Sequence, residues 1–114
     1  PMARGLLTGA VSPERKFGEG DHRANNKMFS VENRQRVLDA LESIRPIGEK
    51  HKATFGQLAI AWTFSEPGIT AAIVGARHAK QTIDNAAAMR VKLSDEERKQ
   101  IRAAFDEPAE AIAG

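Results

Sequence analysis

Ile73-Val74-Gly75-Ala76-Arg77-His78-Ala79-Lys80-Gln81-Thr82-Ile83-Asp84-Asn85 carries the chain from a β-branched run, through a glycine and a basic pair, into an amphipathic helix. A short strand that opens through a glycine turn onto a helix start is suited to holding a phosphate. Free backbone N–H groups and the positive end of the helix dipole there face the ligand. Arg77 offers a planar fork of donors, and Lys80 adds a point charge. Gln81, Asp84 and Asn85 stand at i, i+3 and i+4, so one helical face carries amide and carboxylate groups together. Spacing alone does not separate this reading from a solvated helix start that carries basic residues.

Upstream of the glycine, residues 69–74 are β-branched and alanine-rich, which predicts a short buried strand. Before it, Thr54 with Gln57 has the form of a capping box. It opens a helix through Leu58, Ala59, Ala61, Trp62 and Phe64, which Pro67-Gly68 ends. Trp62 falls on the apolar face of that helix and reads as core. Further upstream, Val37, Leu38, Leu41, Ile44 and Ile47 repeat at helical spacing and predict one helix over 31–50, kinked or locally broken at Pro46. Residues 1–30, with glycines at 5, 9, 18 and 20, read as a loop with a turn of helix near Gly5 to Thr8. A loop of that length in a small domain calls for a job. Its Phe17, Met28 and Phe29 fit a cover over a ligand or a plain surface equally well. Downstream of the glycine, residues 80–89 continue as helix and Val91-Lys92-Leu93 links to a second capping box, Ser94 with Glu97. The helix begun there is expected to stop at Pro108, leaving residues 110–114 to fray.

A single strand among helices is not a complete α/β domain, because a parallel strand needs neighbours on both sides and a cover for its apolar row. The remaining composition narrows the classes. With 114 residues the chain is one domain at most. A net charge of +2, with both signs interspersed, argues for neither nucleic acid nor membrane. The absence of cysteine excludes disulfides and thiolate metal sites and fits a reducing cytosol. No stretch reaches the apolar length of a membrane span, and the N-terminus has no signal-peptide pattern, so a cytoplasmic protein is the expectation. His22, His51 and His78 read as surface histidines. No carboxylate pair, metal-ligand cluster or nucleophile–base arrangement stands out.

Four ordered blocks of this sequence resemble the aldo-keto reductases. Pro1-Met2-Ala3-Arg4-Gly5-Leu6-Leu7-Thr8-Gly9 resembles the loop after the seventh barrel strand of that family. Phe17-Gly18-Glu19-Gly20-Asp21-His22-Arg23 is similar to the long loop that follows it. Leu58-Ala59-Ile60-Ala61-Trp62 resembles the last-but-one barrel helix, and residues 72–85 the eighth strand with its cofactor turn. The likeness runs from residue 1 to about Phe105 with spacing intact. It implies an α/β fold: the C-terminal part of a (β/α)8 TIM barrel, mostly helical here with one short strand. Residues 1–30 would be the loop after strand seven, and residues 31–114 the last helices, the eighth strand and the C-terminal helix. The chain begins at a proline, which fits a cleaved product or an incomplete sequence. The N-terminal barrel portion would then be required, in cis or as another chain.

The resemblance also implies chemistry. The family reduces carbonyls by hydride transfer from NADPH, with a Tyr, Lys, Asp and His quartet that would lie in the absent portion. This chain has no tyrosine, so it is expected to hold no catalytic residue, and alone no activity. What remains would be the cofactor half-site. Met2, Arg4, Gly5 and Leu6 would wrap the pyrophosphate, and Gly75, Ala76 and Arg77 with Gln81, Asp84 and Asn85 would hold the adenosine end. The sequence departs from the common pattern at two of these. Gln81 stands where some members carry Arg, leaving Arg77 as the main cation for the 2′-phosphate. Asp84 stands where Glu is usual, which shortens the reach to adenine by one methylene. NADPH is expected over NADH, with a small-molecule carbonyl substrate and no nucleic-acid or membrane partner. Two other classes remain open: a non-catalytic truncated remnant, and a small helix-turn-helix DNA-binding protein, suggested by the sequence pI of about 9.3 and the alanine-rich helices.

Overall fold

The computed structural model describes residues 1–114, and its regular elements are all helical. In chain order these are a 3₁₀ segment Ala3–Thr8, a 3₁₀ turn Lys27–Phe29, α1 (Val31–Ser43), α2 (Arg45–His51), α3 (Phe55–Ser65), α4 (Ala79–Ala87), a 3₁₀ turn Ala88–Arg90 and α5 (Asp95–Ala113). Both capping boxes form as read: Thr54 Oγ1 accepts from the Gln57 N–H and Ser94 Oγ from the Glu97 N–H, each with the reciprocal side-chain bond. Ser30 caps α1 in the same way, accepting from the Asn33 N–H.

The core gathers around α3. Leu58 and Ala61, 1 % and 0 % exposed, meet Leu6 and Val11 from the N-terminal loop, Val37, Leu41 and Ile44 from α1, and Ile101 from α5. α1 lies along α5. Trp62 is half-buried and its indole N–H donates to the Arg98 carbonyl at 3.2 Å, which fixes α3 against α5.

Four expectations from the sequence are corrected. The helix expected over 31–50, kinked or locally broken at Pro46, is broken, but the break falls earlier, at Ile44, and Pro46 sits in the first turn of α2, where its missing N–H has no helical acceptor to serve. The strand expected over 69–74 is absent: residues 66–78 are irregular, and Ile73 is 92 % exposed. A strand needs a neighbour to pair its backbone groups, and no other segment of the chain supplies one. Pro108 does not stop α5, which runs on to Ala113. The N–H that Pro108 lacks costs one helical bond, but its ring is buried, and with Ile112, Phe105, Trp62 and Leu6 it lines an apolar groove of about 510 Å³. Tertiary packing there offsets the local penalty. Finally, His51 is not a surface residue: its Nε2 lies 2.8 Å from the Glu97 carboxylate and its side chain is mostly buried.

Glu97 ties α2 to the start of α5. Burial alone would raise its pKa, but the Ser94 backbone and hydroxyl and the His51 ring hold it down to about 2. A carboxyl that ionises more easily folded than at its ordinary 4.5 stabilises fully above that pH and loses its contribution as pH falls toward 2. A drop of this size corresponds to about 3 kcal/mol at most. Glu97→Gln is therefore expected to lower stability near pH 7 and to flatten its pH dependence between 4.5 and 2. Chemical denaturation across that range, wild type against variant, measures both.

α3 and α4 are separated by the irregular residues 66–78. A helix-turn-helix motif joins its two helices through a three- or four-residue turn. α3 and α4 are therefore not such a pair.

Candidate functional site

A polar cleft of about 1090 Å³ opens between the N-terminal loop and the turn that leads into α4. Its first wall is a tight backbone curl. Ala3, Arg4 and Gly5 take φ of 49°, 55° and 92° in succession, and both the Gly5 and the Leu7 N–H donate to the Met2 carbonyl. Gly5 adopts such a φ freely, but the two side-chain-bearing residues before it do not, at a cost of about 1 kcal/mol or more each. Strain of this kind persists where surrounding structure over-determines it. Here Leu6 anchors the curl by inserting into the core, and the Thr8 hydroxyl donates to the Gly5 carbonyl at 2.7 Å.

The second wall is the turn Gly75-Ala76-Arg77 with α4. Its polar side chains brace it before they meet any ligand. Gln81 Oε1 accepts from the Arg77 backbone N–H at 2.7 Å, and Asn85 Nδ2 donates to the Gly75 carbonyl at 3.2 Å. Asp84 pairs with Lys80 at 2.7 Å. The Nε2 of Gln81, the Oδ1 of Asn85 and the Arg77 guanidinium are left without protein partners. His78 caps α4 through a long contact, its Nδ1 accepting from the Gln81 N–H at 3.4 Å.

The N-terminus of α3 forms the floor. Thr54, Gly56 and Gln57 line it, and a Cβ on Gly56 would lie 3.4 Å from Met2 Sδ, so the helix start and the curl are in direct contact. The remaining side comes from the long loop through Arg15, Asp21, His22 and Arg23. The Arg23 guanidinium donates to both Asp21 carboxylate oxygens, the shortest bond at 2.6 Å, and holds that carboxyl far below the usual range. Beneath it, Phe17 meets Phe29 edge-on at 5.7 Å, and the buried Arg34 donates Nη1 to the Ser12 and Arg15 carbonyls at 2.8 Å each.

Of the residues singled out in the sequence, Met2, Arg4, Gly5, Gly75, Ala76, Arg77, Gln81, Asp84 and Asn85 come together in this one cleft, although the two groups lie some seventy positions apart. Leu6 does not line it; its side chain lies in the core and against the apolar groove. Phe17, Met28 and Phe29, which fitted a ligand cover or a plain surface equally well, are packing residues, and it is the polar residues of the same loop that reach the cleft. Arg15, Asp21, His22, Arg23 and Gln57 were not legible as cleft residues. Asp21, His22 and Arg23 stood in a block that resembled the family's long loop and Gln57 at a helix-capping position, but neither signal pointed to the cleft.

The charge pattern defines what the cleft accepts. Both acids on its walls already have cationic partners, while the guanidinium groups of Arg4, Arg15 and Arg77 have no carboxylate within ion-pair distance. A ligand with several negative charges suits such a cleft. No group of His, Asp and Glu side chains comes together that could hold a metal.

A family model described as Aldo/keto reductase family matches residues 1–106. The chain belongs to the aldo/keto reductase family. Among its curated relatives, Aldo-keto reductase str7 of Strobilurus tenacellus is 35 % identical over 94 % of this chain and 32 % of its own length. Aldo-keto reductase yakc [NADP(+)] of Schizosaccharomyces pombe is 37 % identical over 93 % of this chain and 31 % of its own. The NADH-specific methylglyoxal reductase of Escherichia coli is 34 % identical over 98 % and 32 %. This aldo/keto reductase chain thus spans about a third of the length of the curated relatives it matches, and the stretch matched is the C-terminal segment of the family. Family membership implies the TIM barrel as the architecture to which these helices belong. No helix is long and apolar enough to cross a membrane.

Proposed function

We propose that this chain is the cofactor-binding C-terminal segment of an NADPH-dependent aldo-keto reductase, which interconverts small aldehydes or ketones and alcohols. The observation that carries the reading is the cleft itself. It joins the strained curl at Ala3–Gly5 to the turn at Gly75–Arg77 and offers three unpaired guanidinium groups. When bound there, the dinucleotide supplies the hydride. The protein's part is to bind and orient it. The Arg4 side chain and the N–H groups of Ala3 and Arg4, which the curl leaves unpaired, hold the pyrophosphate, with Met2 and Leu6 shaping and anchoring that loop. Arg77 faces the 2′-phosphate, aided by the free Nε2 of Gln81. Asn85 Oδ1 accepts from the adenine amino group, and Asp84 stands beside it. Barrel enzymes hold phosphates near their seventh and eighth strands, which is where this reading sets the cleft.

The catalytic residues lie on this reading in upstream barrel strands, in cis or on another chain. Two observations support a missing partner: the apolar groove along Trp62 and Phe105, and the exposure of Ile69 and Ile73 in the segment that would form the eighth strand. The assembled protein works in the cytoplasm on a small carbonyl compound, with no nucleic-acid or membrane partner. The full-length polypeptide is expected to oxidise NADPH when given small aldehydes or ketones, and residues 1–114 alone are expected not to. An absorbance assay at the reduced-nicotinamide band tests this; turnover by the isolated chain, or none by the full-length protein over a panel of aldehydes and ketones, contradicts it.

A further inference from the structure

Gln57 does two things with one side chain. Its Oε1 accepts from the Thr54 N–H at 3.0 Å, completing the cap of α3, and its Nε2 donates to the Asp84 carbonyl at 2.9 Å. Asp84 is among the last four residues of α4, whose carbonyls have no donor one turn further along inside the helix. The bond therefore satisfies an end group of α4 and joins it to the capped start of α3, a helix that Leu58 and Ala61 root in the core. α4 needs such a link. It buries no residue of its own, it follows the irregular residues 66–78, and its nearest core anchors are Ala88 and Val91 just beyond its end. The face so placed is the one that carries Asp84 and Asn85 into the cleft, and Gln57 itself lines the cleft floor.

We propose that Gln57 is a positioning residue for the adenosine end of the cleft: it sets the place of Asn85 by tying α4 to the capped start of α3. The inference rests on the cofactor reading above and adds a residue that acts through another. Loss of one such hydrogen bond is expected to weaken an adenosine-side ligand by about fivefold. Gln57→Met removes both bonds without adding charge. In the full-length polypeptide it is expected to weaken 2′,5′-ADP about fivefold and to leave the affinity for reduced nicotinamide mononucleotide unchanged. In an Asn85→Ala background the same change is expected to have no further effect, because its route to the ligand has been removed. A Gln57 effect of equal size with and without Asn85 overturns the proposal, and so does no effect at all. Amide hydrogen exchange without ligand gives a second, independent reading. Faster exchange of the Asp84–Ala88 amides in Gln57→Met, with α3 amides beyond its first turn unchanged, supports the proposal; unchanged α4 exchange overturns it. If wild type does not bind 2′,5′-ADP, the cofactor reading fails, while the exchange result still decides whether Gln57 holds α4.

Discussion

An Arg77→Ala variant of the full-length polypeptide is expected to bind NADPH about 10- to 100-fold more weakly than wild type, with NADH affinity within about twofold, as loss of a charge-assisted phosphate contact predicts. The substitution keeps the backbone that the turn uses: the Arg77 N–H still meets Gln81 Oε1, so the geometry of Gly75–Arg77 survives and only the guanidinium is lost. Gln81 cannot make up the charge, since its carbonyl oxygen is committed to that N–H and its amide is neutral. The difference between the two cofactors isolates the 2′-phosphate. Equal losses for NADPH and NADH move Arg77 to the pyrophosphate; no loss for either removes it from the site. The effect is also expected to shrink as ionic strength rises, because Arg77 is solvent-exposed.

The second large effect is on stability. Leu58→Ala is expected to destabilise the fold by about 2–5 kcal/mol, measured by chemical denaturation. Leu58 lies where the N-terminal loop, α1, α3 and α5 converge, and its Cδ1 lies 3.4 Å from where a Cβ on Gly48 would stand, so α2 closes over it as well. Leu58 is 1 % exposed in a close-packed cluster that Phe29, Leu41 and Ile101 share, so removing its side chain leaves a cavity that only partial relaxation can fill. A loss under about 1 kcal/mol would mean that this core is not shared among the elements as described.

The parts of this protein that were legible in its sequence are those governed by local chemistry. The capping boxes at Thr54–Gln57 and Ser94–Glu97 form because each requires only four residues and two reciprocal bonds. That Met2, Arg4 and Gly5 share a cleft with Gly75, Ala76, Arg77, Gln81, Asp84 and Asn85 was legible only through family likeness, which had grouped them together with Leu6. What sequence could not show depends on distant partners. The 69–74 segment has the composition of a strand, but strand structure belongs to a pair, and the pairing segments are not among these residues. Pro108 carries a strong local stop signal that packing against the apolar groove overrides. His51 and Glu97, forty-six positions apart, gave no pattern that would join them. The same holds for Gln57 and Asp84, whose bond spans two helices and an irregular connection. Arg34 illustrates the point within the loop: a residue on the α1 surface by composition, it is buried because the loop folds over it and offers two carbonyls.

The two halves of the cleft are joined by folding alone, and the account stands on their serving one ligand. Titration of NADPH into isotope-labelled full-length polypeptide, followed by nuclear magnetic resonance, addresses that directly. The backbone amides of Gly5, Gly75 and Arg77 and the side-chain amides of Gln81 and Asn85 are expected to shift together along one saturation curve. NADPH that saturates the protein while those signals stay where they were would contradict it.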